Sequence, residues 1–102
     1  MKYCIDEDIT VAETLPGKFY CDPAVYAAQL DRVFASSWQF VPVQPDDEEI
    51  VPATLLAGSL DEPIVLLQSD GETRVLSNVC THRAAVIVTE AQKGKVLRCG
   101  YH

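Results

Sequence analysis

Cys80 and His82, followed by Cys99 and His102, are the residues of this sequence best equipped for chemistry. Two thiols and two imidazoles in two short clusters make a metal-ligand inventory. The pattern is C-x-H, sixteen intervening residues, then C-x-x-H. Positions i and i+2 of an extended segment face one side, so Cys80 and His82 can address one centre from a single loop. Cys99 and His102 can do the same from a tight turn in which Gly100 relieves the backbone. A two-Cys, two-His zinc module ordinarily keeps its cysteines together and its histidines together, about a dozen residues apart. Here cysteine and histidine alternate. That order fits a two-iron centre better, with Cys80 and Cys99 on one iron and His82 and His102 on the other.

Such loops need a rigid frame. Residues 64–68 and 72–77 read as strands joined through Ser69, Asp70 and Gly71, a strong hairpin signal. The second strand delivers Asn78 and Val79 into the first ligand loop. Residues 84–89 form a further apolar run and 92–95 a turn, and 96–98 are expected to be the strand carrying the second loop. Upstream, residues 50–60 hold a strand, with 54–56 its most strand-like part. Residues 38–43 alternate apolar and β-prone types and read as the first strand, with Trp38 a core anchor and Pro42 at an edge or end. Asp22 and Pro23 are a helix start, and the helix is expected to run to about Ser36. Its stripe of Tyr26, Leu30, Val33 and Phe34 would pack on the sheet. Pro16 and Gly17 make a turn, and the acidic residues 1–14 and the charge run 45–49 read as solvated segments. With no internal repeat or linker, the expected class is mainly β (α+β), a helix followed by antiparallel strands.

At 102 residues the chain is one domain at most, and 48% apolar content argues against disorder. A net charge of −7 speaks against nucleic acid or an anionic membrane as partner, and it permits a small basic electron donor without requiring one. The N-terminus lacks a basic region followed by an apolar run, and no stretch reaches membrane-spanning length, so a cytoplasmic location is expected. With no export signal, and with two of the four cysteines beside histidines, ligation is a better reading than two disulfides. Cys4 and Cys21 fall outside the motif and read as free thiols.

The motif, within the strings around 76–83 and 97–102, resembles the Rieske [2Fe–2S] motif of the large (α) subunits of Rieske non-haem iron oxygenases. The likeness extends upstream through residues 15–20, Trp38 and residues 62–67. It implies an N-terminal arm and helix over 1–37. A Rieske [2Fe–2S] domain would follow over 38–102, an incomplete Rieske-type antiparallel β-sandwich truncated after its last ligand. The cluster would accept one electron at a time from a ferredoxin or flavin reductase. Oxygen chemistry on an organic substrate, hydroxylation or demethylation, would belong to a mononuclear non-haem Fe(II) in a C-terminal catalytic domain absent from these residues. The resemblance therefore implies part of an oxidoreductase, assembled in a trimeric unit, with no catalytic residue in the chain itself. A stand-alone Rieske-type ferredoxin is one alternative and a structural zinc module another.

Two departures from the family pattern stand out. Ala84 follows Arg83 where the family usually has Gly, and Gly100 stands where Pro is common. Arg83 itself has two readings, a hydrogen bond near the cluster or a surface salt bridge. As a fragment ending on His102, the 102 residues alone are expected to hold a cluster poorly, which stoichiometric, air-stable iron and sulfide would contradict. Exchanging two thiolates for two imidazoles raises the potential from roughly −400 mV into a range of roughly −150 to +300 mV. The outer nitrogen of each histidine is a proton site. Reduction is thus expected to take up protons at alkaline pH, where potentiometry should find the midpoint falling as pH rises; a flat profile would count against it.

Overall fold

The computed structural model describes residues 3–42 and 48–101, so Val43, the first three residues of the charge run, and His102 lie outside the described residues. The chain divides into two compact units, Met1–Trp38 and Gln39–His102.

In the first unit, the Asp-Pro pair opens a helix where the sequence places it. Helix α1 (Pro23–Arg32) is capped by Asp22, whose Oδ1 accepts the Ala24 N–H at 2.9 Å, and Pro23 takes the first helical position. It ends earlier than expected. Val33 caps it at φ −112°, donating its N–H to Gln29 O at 2.9 Å, a short 3₁₀ turn (Phe34–Ser36) follows, and the Ser36 hydroxyl donates to the Arg32 carbonyl at 3.0 Å. The expected packing stripe does not form a core: no residue of α1 is buried, and Tyr26, Val33 and Phe34 are exposed. The periodicity marks a face able to pack; it does not supply the surface to pack against. Pro16 turns the chain as expected, accepting the Phe19 N–H at 2.8 Å at the start of a 3₁₀ helix (Gly17–Cys21). The ring of Tyr3 meets Phe19 edge-on at 4.9 Å, and its hydroxyl donates to Asp22 Oδ2 at 3.5 Å.

In the second unit, three antiparallel strands form one sheet in the order β1 (Ile50–Leu55), β2 (Glu62–Ser69), β3 (Glu72–Ser77). The β2–β3 hairpin closes on Asp70 and Gly71, at φ 54° and 80°, with Ser69 opposite Glu72. Positive φ at both central residues matches the right-handed twist of the strands, which is why Asp-Gly is legible as this turn. The β1–β2 connection wraps around one carbonyl: the N–H groups of Ser59, Leu60 and Asp61 all donate to Leu56 O, at 3.1 to 3.2 Å. Strand β1 starts at Ile50, four residues before the segment with the strongest strand character, because Ile50 is the residue that seeds the core.

Two expected strands do not form among the described residues. Residues 39–42 form no strand, and Trp38 is fully exposed instead of anchoring a core. Alternation shows that a segment fits a pleated surface, but a ladder needs a partner, and Pro42 has no N–H to give one. Residues 96–98 likewise pair with no strand among the described residues. Leu97 nevertheless packs on the core cluster of Ile50, Val65 and Val88, together with Leu67 and Ile87. The core therefore gathers residues from each part that matters: β1, β2, the chain leaving the first ligand loop, and the chain entering the second. The class is mainly β with one α-helix ahead of an antiparallel sheet, as the sequence indicates. Among the described residues, no helix is long and apolar enough to cross a membrane.

Candidate metal centre

The first ligand loop is built as a continuation of the hairpin. Beyond the end of β3, Asn78 turns inward and is 2% exposed. Its backbone N–H donates to Pro63 O at 2.9 Å, holding it to β2. Its side chain spans the loop's stem: Nδ2 donates to Val88 O at 2.7 Å, and Oδ1 accepts the Val88 N–H at 2.9 Å. A bridge between Val79 and Val86 forms the next rung. The Cys80 N–H then donates to Ala85 O at 2.8 Å, and the Ala84 N–H to Cys80 O at 2.9 Å. These rungs leave Thr81, His82 and Arg83 exposed at the tip, with Cys80 half-buried beneath them.

Closing so tight a tip puts Ala84 at φ 55°. The family's usual glycine at this position has a physical reason here, since the left-handed region costs a non-glycine residue about 1–2 kcal/mol. Ala84→Gly gives back about 0.4–1 kcal/mol through the looser unfolded chain. The expected result is a stability gain of up to about 1 kcal/mol, read as a higher urea midpoint. A lower midpoint would mean that the alanine carries no strain.

The second ligand segment is tied to the opposite edge of the sheet. Ile50 and Gln92 exchange both backbone hydrogen bonds, at 3.0 and 2.9 Å. Glu49 Oε2 accepts the Gly94 N–H at 2.8 Å, where φ of 138° is a conformation that favours glycine. From that turn the chain passes through the packed Leu97 to Cys99, which is half-buried.

Cys80 and Cys99, from the two loops, lie near enough for the Cys99 thiol to act on Cys80. The Cys80 thiol is held below its ordinary value chiefly by the His82 N–H; the Cys99 thiol and the Arg83 N–H add to this, and desolvation opposes it. Thiolate is the form of cysteine that binds metal. His82 lies exposed at the tip, two residues from Cys80, and His102 is outside the described residues. Among the described residues, no three His, Cys, Asp or Glu side chains converge on one point. A donor set divided between two irons does not require three to converge: two thiolates take one iron and two imidazoles the other. A close thiol pair with main-chain N–H groups on one sulfur fits that requirement.

Cys4 and Cys21 are exposed free thiols in the other unit. Arg83 contributes its main-chain N–H to Cys80, and its side chain takes part in no ion pair shown among the described residues. Two residues went unrecognised in the sequence, Asn78 as a clamp on the first loop and Glu49 as a clamp on the second. A polar residue just before a ligand pair was the available signal for Asn78. Glu49 was hidden in a charge run that reads as solvated.

The Rieske [2Fe-2S] domain, as a family, matches residues 39–102. Among curated proteins, the chain is 36% identical over 93 residues to choline monooxygenase, chloroplastic, of Spinacia oleracea, covering 89% of this chain and 21% of that protein. It is 36% identical over 97 residues to the glycine betaine monooxygenase oxygenase subunit of Chromohalobacter salexigens, covering 87% and 20%. It is 37% identical over 87 residues to the large oxygenase component of the 2,4-dinitrotoluene dioxygenase system of Burkholderia sp., covering 81% and 19%. The chain thus spans about a fifth of the length of the curated relatives it matches. No solved structure matches.

Proposed function

The chain belongs to the Rieske [2Fe-2S] domain family, and from that premise we propose that Cys80 and Cys99 hold one iron of a [2Fe–2S] cluster and His82 and His102 the other. What supports this reading is the match of the Rieske [2Fe-2S] domain to residues 39–102, with Cys80 and Cys99 near enough to interact from loops held to opposite edges of one sheet. When bound, the cluster supplies one-electron transfer at a potential raised by its two imidazoles. The residues of the chain do the rest. Main-chain N–H groups of His82 and Arg83 stabilise negative charge on the Cys80 sulfur. Asn78 and Glu49 fix the two loops to the sheet, so that the ligands move little when charge arrives.

In this reading the chain is the electron-accepting part of an oxygenase large subunit. It takes electrons from a ferredoxin or flavin reductase and passes them to a mononuclear iron that acts with O2 on an organic substrate. The relatives support this, since they are a monooxygenase and the oxygenase components of a monooxygenase and a dioxygenase. The domain boundary falls near residue 38, and the assembly is the trimeric unit of the family. A reducing compartment, the cytoplasm here, is supported by the exposed unpaired Cys4 and Cys21.

Electron spin resonance tests the cluster. The iron-loaded protein should be red-brown when oxidised and should give a rhombic signal when reduced. A colourless protein that binds zinc stoichiometrically and stays silent would overturn the reading in favour of a structural zinc module.

A further inference from the structure

In an antiparallel ladder, successive residues direct their N–H and C=O groups to alternate sides of the strand. The Gln68 N–H donates to Glu49 O at 2.8 Å, so the even-numbered residues of β2 face β1 and the odd-numbered ones face β3. The Asn78 N–H, donating to Pro63 O at 2.9 Å, sets the matching parity of β3: Glu72, Arg74 and Leu76 face β2. Thr73, Val75 and Ser77 therefore aim their backbone groups away from the sheet, and among the described residues no backbone bond from them to another element is shown. Every residue of β3 is exposed, Val75 at 51% and Leu76 at 46%. The opposite edge of the sheet is guarded. On β1 the outward residues include Ile50, which is paired with Gln92, and Pro52, which has no N–H to offer. Strand β3 contains no proline, and its two charges, Glu72 and Arg74, pair with each other at 3.2 Å.

From this we infer that β3 is the docking edge for a second copy of this chain, pairing antiparallel about a two-fold axis between the two Val75 residues. The strand complements itself in that register. Val75 lies opposite its own copy and Thr73 opposite Ser77, each pair exchanging both backbone bonds. The side chains of these three residues are uncharged, and β-branched and hydroxyl side chains pair well across strands. On the other face Arg74 comes opposite Leu76, and its aliphatic stem covers that exposed side chain. Because β1 is guarded, the sheet cannot extend from its other edge, and the assembly closes as a dimer. The pairing does not depend on the cluster reading above.

Sedimentation equilibrium tests the pairing. A contact along one strand is small, and small interfaces dissociate readily. The apparent mass should therefore rise from one chain towards two between micromolar and near-millimolar protein. V75K sets two ammonium groups against each other across the axis and is expected to raise the dimer dissociation constant about tenfold. Y26K makes the same change of charge at an exposed residue of α1 and should leave that constant unchanged. Hydrogen exchange in the parent chain gives a second readout that needs no variant and decides alone if V75K does not fold. The amides of Thr73, Val75 and Ser77 should be protected in concentrated protein and lose that protection on dilution, whereas those of Arg74 and Leu76, bonded to β2, stay protected throughout. A chain that stays monomeric at every concentration overturns the inference and leaves the edge to a strand from a different protein. A dimer weakened by Y26K and not by V75K, or exchange at Val75 indifferent to concentration, also overturns it. Mass climbing past two chains overturns the closed pair.

Discussion

Asn78→Ala should unfold much of the Gln39–His102 unit under conditions where the parent is folded. Asn78 is 2% exposed and Val88 is 3% exposed, so the two hydrogen bonds between them lie out of reach of water. Truncation leaves the Val88 N–H and C=O without partners, and each orphaned buried group costs about 1–3 kcal/mol. A cavity adds to that, since alanine does not fill the space. The sum is comparable with the lower end of whole-domain stability, about 5 kcal/mol. Urea titration followed by far-ultraviolet circular dichroism is the measurement, with Asn78→Asp as companion. Aspartate keeps an acceptor for the Val88 N–H but turns a second oxygen towards the Val88 carbonyl, so it too should be strongly destabilised. A midpoint for Asn78→Ala within about 0.5 kcal/mol of the parent, the range of an ordinary surface substitution, would show that the clamp is dispensable.

Cys99→Ser should reduce cluster iron and sulfide to a trace and abolish the rhombic signal. Serine is close to isosteric, so packing around Leu97 is undisturbed, but its hydroxyl stays protonated where a thiol yields thiolate. The Cys80 sulfur also loses its thiol neighbour. Cys21→Ser is the matched control, an exposed free thiol in the other unit, and should keep the full complement of iron. Retention of the cluster by the first variant, or its loss from the second, would mean that the ligand set has been assigned to the wrong sulfurs.

What could be read from the sequence was what depends on near neighbours. Asp70 and Gly71 sit at positive φ because the two-residue turn needs it, and Asp22 with Pro23 opens a helix through bonds spanning two residues. The alternation of cysteine and histidine belongs to the same class, since ligand spacing is local within each loop. What could not be read depends on partners remote in sequence. Trp38 and the apolar residues of α1 look like core because they are large and periodic, yet no residue of the helix is buried. Residues 96–98 have strand character and no ladder among the described residues. Asn78 reveals its task only when the loop closes and brings Val88 back beside it. Ala84 lies between these cases: the missing glycine was visible, and its φ of 55° was not.

Trp38 is the only tryptophan in the chain, and its side chain is fully exposed. Its fluorescence should therefore peak at the wavelength of indole in water and be quenched freely by iodide or acrylamide. Unfolding would barely move that emission, which makes it a poor reporter of the Asn78 variant. The same property makes it a sensitive reporter of coverage. A blue-shifted, quencher-resistant emission would signal that further polypeptide or a bound protein has closed over residue 38, without any label having to be added.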